Sequence, residues 1–155
     1  MTFTVLVFAN LFLAGILAGE ELIIRYGVRG PLARMEDRAH IQMRQGLIRT
    51  LRILVPAIFL PALASAIAVA ALVGSGSGQA YRGTAVAALA AWILITLFGT
   101  VPINEAAAQW DPGAPPTNWK ATVDRWEGLN TVRTPTAVLA FTALLIGAAL
   151  QAAGA

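Results

Sequence analysis

Nineteen residues without a single charge, Met1 to Gly19, open this chain, and the apolar character resumes through Leu22, Ile23 and Ile24. Such a stretch is long enough to cross a bilayer, which takes about 20 residues. An export signal would carry basic residues ahead of its apolar run, yet the first Lys or Arg is Arg25, so the segment is expected to stay as a helix. Three further apolar stretches follow, and the expected spans are about 3–24, 53–73, 82–103 and 134–153. Charged residues make up 12% of the chain, against roughly 25% in an ordinary soluble domain. The fold class is therefore all-α: one domain over 1–155, an integral membrane up-down four-helix bundle whose helices 2 and 4 extend past the membrane.

Charge placement sets the expected orientation. The region from Arg25 to Arg52 holds seven basic residues, the second connection holds Arg82 alone, and the third holds Lys120, Arg125 and Arg133. The positive-inside rule puts loops 25–52 and 105–133 in the cytoplasm and both termini outside, as in a bacterial inner membrane. Basic residues beside apolar spans serve topology or anionic lipid, so nucleic acid is not an expected partner. The chain has no cysteine, which removes disulfide, thiolate and iron–sulfur chemistry.

Local signals fill in the frame. Gly15 and Gly19, with Ala14 and Ala18 beside them, form a small-residue surface for close helix approach. Tyr26 to Pro31 (YGVRGP) is expected to be a turn, and a long helix to rise from about Ala33, kinked at Pro56 and Pro61. Gly74 to Gln79 is expected to turn, the third span to run past Trp92 to Val101, and the final helix to start at Thr117 as N-cap and cross Pro135.

The side chains able to do chemistry gather between Thr100 and Thr134, where Asn104, Trp110, Trp119, Trp126, Asn130 and Arg133 all lie. Trp126, Asn130 and Arg133 stand at i, i+4 and i+7, on one helical face, and Trp119 extends the stripe. A flat aromatic, an amide and a fixed cation suit a planar oxygenated ligand and an anion formed from it; an interfacial aromatic belt would use the same residues. Glu20 and Glu21 end the first span. Neighbours on a helix point about 100° apart, so at most one is expected to face the bundle interior, paired with arginines of the next helix. His40, the only histidine, is a candidate general acid or base. A lone histidine cannot supply the several imidazoles of a copper or di-iron site, so a metal would need carboxylate or amide co-ligands from this chain or a second copy of it, and a two-histidine haem a dimer; no cofactor is expected.

Several of these residues resemble a known family. They are Pro102-Ile103-Asn104 after an apolar span, the tryptophan six residues on, the Asp111-Pro-Gly connection, and Trp126-x-x-x-Asn130-x-x-Arg133-Thr134 leading into the last span. Together they are similar to the anthrone oxygenase-like family of small four-span membrane proteins, specifically over about Val101 to Thr134. The resemblance implies a four-helix membrane bundle and, for a few members, oxidation of an anthrone to an anthraquinone with molecular oxygen; its recurrent positions here are Asn104, Trp126, Asn130 and Arg133. The combined candidates are Glu20, His40, Asn130 and Arg133 for catalysis and Asn104, Trp110 and Trp126 for binding. The expected partners are a hydrophobic planar small molecule, membrane lipid and a second copy of the chain. Two other classes stand beside this one: a non-catalytic protein that binds lipid or a protein partner through the Gly15–Gly19 seam, and a cofactor-bearing redox protein or small transporter.

Overall fold

Four helical stretches, Phe3–Ala33, Asp37–Val73, Gln79–Ala108 and Trp119–Ala153, are each long and apolar enough to cross a membrane. The computed structural model describes residues 2–73 and 76–154, all helical apart from short connections. In chain order the helices are α1 (Thr2–Leu22), a π-helical turn (Ile23–Val28), α2 (Arg29–Ala33), α3 (Asp37–Val73), α4 (Gln79–Ile95), a second π-helical turn (Thr96–Thr100), α5 (Val101–Ala108) and α6 (Trp119–Ala153). Helix α1 packs on α3, α3 on α4, α4 on α6 and α6 back on α1, with α4 against α6 the most extensive contact. Sequence neighbours are thus spatial neighbours around a closed ring, as an up-down bundle requires.

Alanine fills the centre. Ala66, Ala85, Ala137, Ala140 and Ala143 are buried between the helices with Leu17, Leu89 and Leu144. Without a hydrophobic drive to separate helix from lipid, such small residues let backbones approach and gain dispersion contact. Phe59 stacks on Trp92 with ring centroids 4.8 Å apart, closing this core on the basic side of the bundle. On the opposite side Asn10 donates to the Ala62 carbonyl at 3.0 Å and to Ser65 Oγ at 2.9 Å, tying α1 to the stretch of α3 just past Pro61. The expected small-residue seam is divided: Ala14 and Ala18 are buried, Gly15 lies against the Phe141 ring, and Gly19 meets no neighbour.

Helix boundaries differ from the sequence expectation in two places. Tyr26 to Pro31 is not a turn. The chain stays helical through the π turn and α2, with Pro31 in the first turn of α2, where a missing N–H breaks least; the break comes after Ala33. At the start of α6, Asn118 and not Thr117 is the cap position, and no side chain caps it; the Trp119 N–H donates instead to the Pro116 carbonyl at 3.0 Å. The turn before α4 is described only from Gly76 onward; Gly74 and Ser75 of the expected Gly74–Gln79 turn lie outside the described residues.

Gly78 at the head of α4 has φ +85°, and a Cβ there would stand 2.7 Å from the Gly147 carbonyl oxygen of α6. Both the left-handed backbone and the close approach demand glycine. Gly78→Ala is expected to cost about 1–3 kcal/mol, read as a lowered midpoint of thermal unfolding followed by circular dichroism in detergent.

Candidate functional site

A cavity of about 680 Å³ opens between the ends of the helices that carry most of the arginines. Glu20 and Glu21 reach it from α1, Arg44 and Phe59 from α3, Trp92 from α4, Asn104 from α5, and Trp126, Asn130 and Arg133 from α6. Its volume falls within the roughly 300–1,000 Å³ of small-molecule sites. The wall between the polar groups is apolar, with Leu47, Leu51, Val55, Ile93 and Leu97 among its residues.

Both π turns border this space, through Ile24 and Val28 on one side and Thr96, Leu97 and Thr100 on the other. The second has a local cause. Pro102 has no N–H for the preceding turn and its ring would crowd the carbonyl four residues back, so the chain widens just ahead of it, and Pro102 sits in the first turn of α5. Threonine hydroxyls take up nearby carbonyls: Thr96 donates to Trp92 at 2.8 Å and Thr100 to Thr96 at 3.1 Å.

At the centre lies a buried ion pair. Arg133 Nη2 donates to Glu21 Oε1 at 2.5 Å; the same oxygen accepts from Trp92 Nε1 at 3.0 Å, and Oε2 accepts from the Thr134 hydroxyl at 3.2 Å. Arg133 also donates through Nη1 to Asn130 Oδ1 at 3.2 Å and lies over the Trp92 ring, 4.6 Å from its centroid. Glu21 is 2% exposed and Arg133 7%. Burial at that level requires pairing and hydrogen bonding of both charges, and the cluster supplies them from α1, α4 and α6. The partner of the acid is therefore on the last helix, not on the next one, and both acids line the cavity where only one was expected: Glu21 is committed to the cluster while Glu20 stands beside it, half-buried, with Oε2 free of any hydrogen bond. The end of a helix next to a widened turn can present adjacent side chains to one concave space.

Unmet polar atoms concentrate around the cavity. Buried atoms without a partner include Glu20 Oε2, Arg44 Nε and Nη2, Asn104 Oδ1, Trp126 Nε1, Asn130 Nδ2 and Arg133 Nε, all on residues that line it. Buried polar atoms are nearly always satisfied in folded proteins, so the six residues call for partners, water or a bound molecule, along the walls of this one space.

Two expected site residues are elsewhere. His40 packs edge-on against Trp119, centroids 5.2 Å apart, and Trp110 packs on the other side of Trp119 at 6.4 Å. With Ile41 and Val123 they make a separate apolar cluster that pins the connection before α6 to the start of α3. Gln45 Nε2 reinforces it by donating to the Trp110 carbonyl at 2.8 Å. Trp119 accordingly leaves the stripe that Trp126, Asn130 and Arg133 present to the cavity. The His40 imidazole, ahead of the apolar part of α3, is held below its ordinary value by burial and then by the nearby Arg44 guanidinium, against a weaker opposing bond to the Leu32 backbone. Neither His40 nor Trp110 lines the cavity.

Two residues of the cavity wall carry no chemical signal in the sequence: Trp92 reads as one apolar residue within a span and Arg44 as one of seven topology-setting cations, whereas Glu21 stands beside Glu20 as a candidate from the start. Among the described residues no group of three or more His, Cys, Asp or Glu side chains is placed to hold a metal ion.

A family model described as anthrone oxygenase matches residues 47–143. No curated protein and no solved structure matches the chain. The matched stretch includes Trp92, Asn104, Trp126, Asn130 and Arg133, whereas Glu20, Glu21 and Arg44 lie ahead of it. It covers more than half of the chain and three of the four walls of the cavity, and on that match the protein belongs to the anthrone oxygenase family.

Proposed function

We propose that the protein is a membrane-embedded oxygenase that oxidises a planar phenolic substrate of the anthrone type with molecular oxygen. The observation that supports it most is the make-up of the cavity wall: an apolar surface on which a carboxylate (Glu20), an amide (Asn130) and a guanidinium (Arg133) border a single space. In the proposed orientation this space faces the cytoplasmic leaflet, because the helix ends around it carry Arg25, Arg29, Arg44, Arg49 and Arg52.

In the proposed reaction Glu20 takes a proton from the activated methylene of the anthrone, leaving an anthranolate whose charge rests on the ring oxygen. Asn130 Nδ2 and Arg133 Nε hold that oxygen, and the Glu21 pair fixes the guanidinium in place. The electron-rich carbon then passes one electron to oxygen, the radical and superoxide combine to a peroxide anion, and Glu20 returns its proton to give the hydroperoxide. Loss of water breaks the O–O bond and the remaining C–H bond and leaves the second carbonyl, so one anthrone and one oxygen give one anthraquinone and one water. An anthranolate is reducing enough to react this way directly, and we take the step to be independent of flavin and metal.

Oxygen uptake by detergent-purified protein with a simple anthrone tests this. Wild-type uptake is expected to exceed the spontaneous rate, and Asn130→Ala to lower the protein-dependent part roughly 10²–10³-fold, the usual effect of removing one oxyanion donor. Equal uptake with and without folded protein would remove anthrones as the substrate and leave lipid or protein binding as the better reading.

A further inference from the structure

Arg44 carries a buried charge with no ion-pair partner of its own among the described residues. It is 5% exposed, and neither its Nε nor its Nη2 has a hydrogen-bond partner. The carboxylate beside it, Glu127, is in an ion pair with Arg29 at 3.2 Å. What Arg44 does have is the face of Trp126, 4.4 Å from guanidinium carbon to ring centroid, and the indole Nε1 of that tryptophan is also buried and unpartnered. Both side chains line the cavity. Stacking on an aromatic face holds an arginine in place and does not use up its edge N–H groups. Water could satisfy those N–H groups, but only an anion compensates the buried charge.

The position of the pair along the cavity matters as much as its charge. Trp126 precedes Arg133 by seven residues on α6, which at 1.5 Å rise per residue separates them by roughly 10 Å along the helix. That is about the long dimension of three fused aromatic rings. Between the two ends, α3 supplies Leu47, Leu51 and Val55 as an apolar wall, with Arg52 also on its border.

We infer that Arg44 and the Trp126 indole form a carboxylate-holding subsite at the opposite end of the cavity from Glu20 and Arg133, so that the molecule bound is a planar aromatic acid. This rests on the proposed function for the cavity and adds what it leaves open, the class of substrate. The acid end, a bidentate acceptor suited to a guanidinium edge, anchors on Arg44, and the three-ring body then sets its far end beside Glu20. Arg44 is a specificity residue here and takes no part in the proton or electron steps.

The test compares 9,10-anthraquinone-2-carboxylate with 2-(hydroxymethyl)-9,10-anthraquinone, a neutral molecule of the same shape, by quenching of tryptophan fluorescence in phosphatidylcholine nanodiscs. Wild type is expected to bind the carboxylate roughly ten- to a hundredfold more tightly, as a hydrogen bond to a charged partner would confer. Arg44→Gln, which keeps all four tryptophans, is expected to abolish that preference while leaving the neutral affinity within about twofold, the neutral arm doubling as a check that the variant is folded; Arg44→Lys should keep part of it.

Equal wild-type affinities for the two molecules would overturn the subsite while leaving the aromatic cavity standing. Binding of neither would overturn both. A preference that survives Arg44→Gln, or one that disappears when phosphatidylglycerol replaces phosphatidylcholine, would overturn it as well, the last because a lipid phosphate would then be the anion at Arg44.

Discussion

Glu21→Leu is expected to destabilise the protein by about 3–5 kcal/mol, the range for removing one partner of a buried ion pair. The carboxylate accepts from Arg133, Trp92 and Thr134 at once, and without it the guanidinium keeps its charge and loses its counterion. The loss should appear as a drop in the thermal midpoint followed by circular dichroism in detergent. A double variant, Glu21→Leu with Arg133→Met, is expected to recover most of it, since replacing both charges by apolar groups of similar volume is often neutral or stabilising. If the single variant melted with the wild type, the pair would not be the tie between α1, α4 and α6 that its geometry describes. If the double variant were no better than the single, the destabilisation would come from lost packing and not from uncompensated charge.

Glu20→Gln is expected to leave the fold intact and to lower anthrone-dependent oxygen uptake by roughly 10²–10⁴-fold, the contribution of a positioned general base. The amide keeps the volume of the carboxylate, and Glu20 makes no ion pair whose loss would destabilise the helix ends. Of the other acids at the cavity, Glu21 is held by Arg133, Glu127 by Arg29, and Glu105 is exposed. Glu20 is thus the half-buried carboxylate left unpaired at the cavity and able to accept a proton from a bound molecule. Undiminished uptake by Glu20→Gln, with an unchanged melting profile, would assign the proton to another acceptor and remove the central step of the proposed reaction. The two variants separate neighbouring residues cleanly: one is expected to change stability and the other rate.

The bundle was legible because it depends on quantities a sequence carries openly: four apolar runs, a short second connection that makes its neighbours antiparallel, and no competing strand pattern. Part of the site was legible for a similar reason. Trp126, Asn130 and Arg133 share one helix, so their spacing alone places them together, and all three line the cavity. Contacts between distant segments were not. Arg133 and Glu21 are 112 positions apart, and nothing local to either says they meet. Trp92 and Arg44 were hidden by their surroundings: an aromatic inside a span reads as core, and a cation near a membrane edge reads as topology. His40 and Trp110 show the opposite error. Rarity and polarity made them look chemical, yet the connection before α6 folds over the start of α3 and uses them as packing around Trp119.

The widened turn at Thr96–Thr100 has an arithmetic consequence for the helix that contains it. Trp92 and Asn104 are twelve positions apart, and at about 100° per residue an uninterrupted α-helix would point them roughly 120° away from each other. One extra residue absorbed in a π turn acts as an insertion and brings that offset to roughly 20°, which is why both border the same space. The residues beyond Thr100 are therefore counted from a shifted zero. The tightly packed half of this helix and the half that borders the cavity obey the same periodicity, but each in its own phase, and the proline-marked joint between them is what lets a single transmembrane segment serve the core with one half and the cavity with the other.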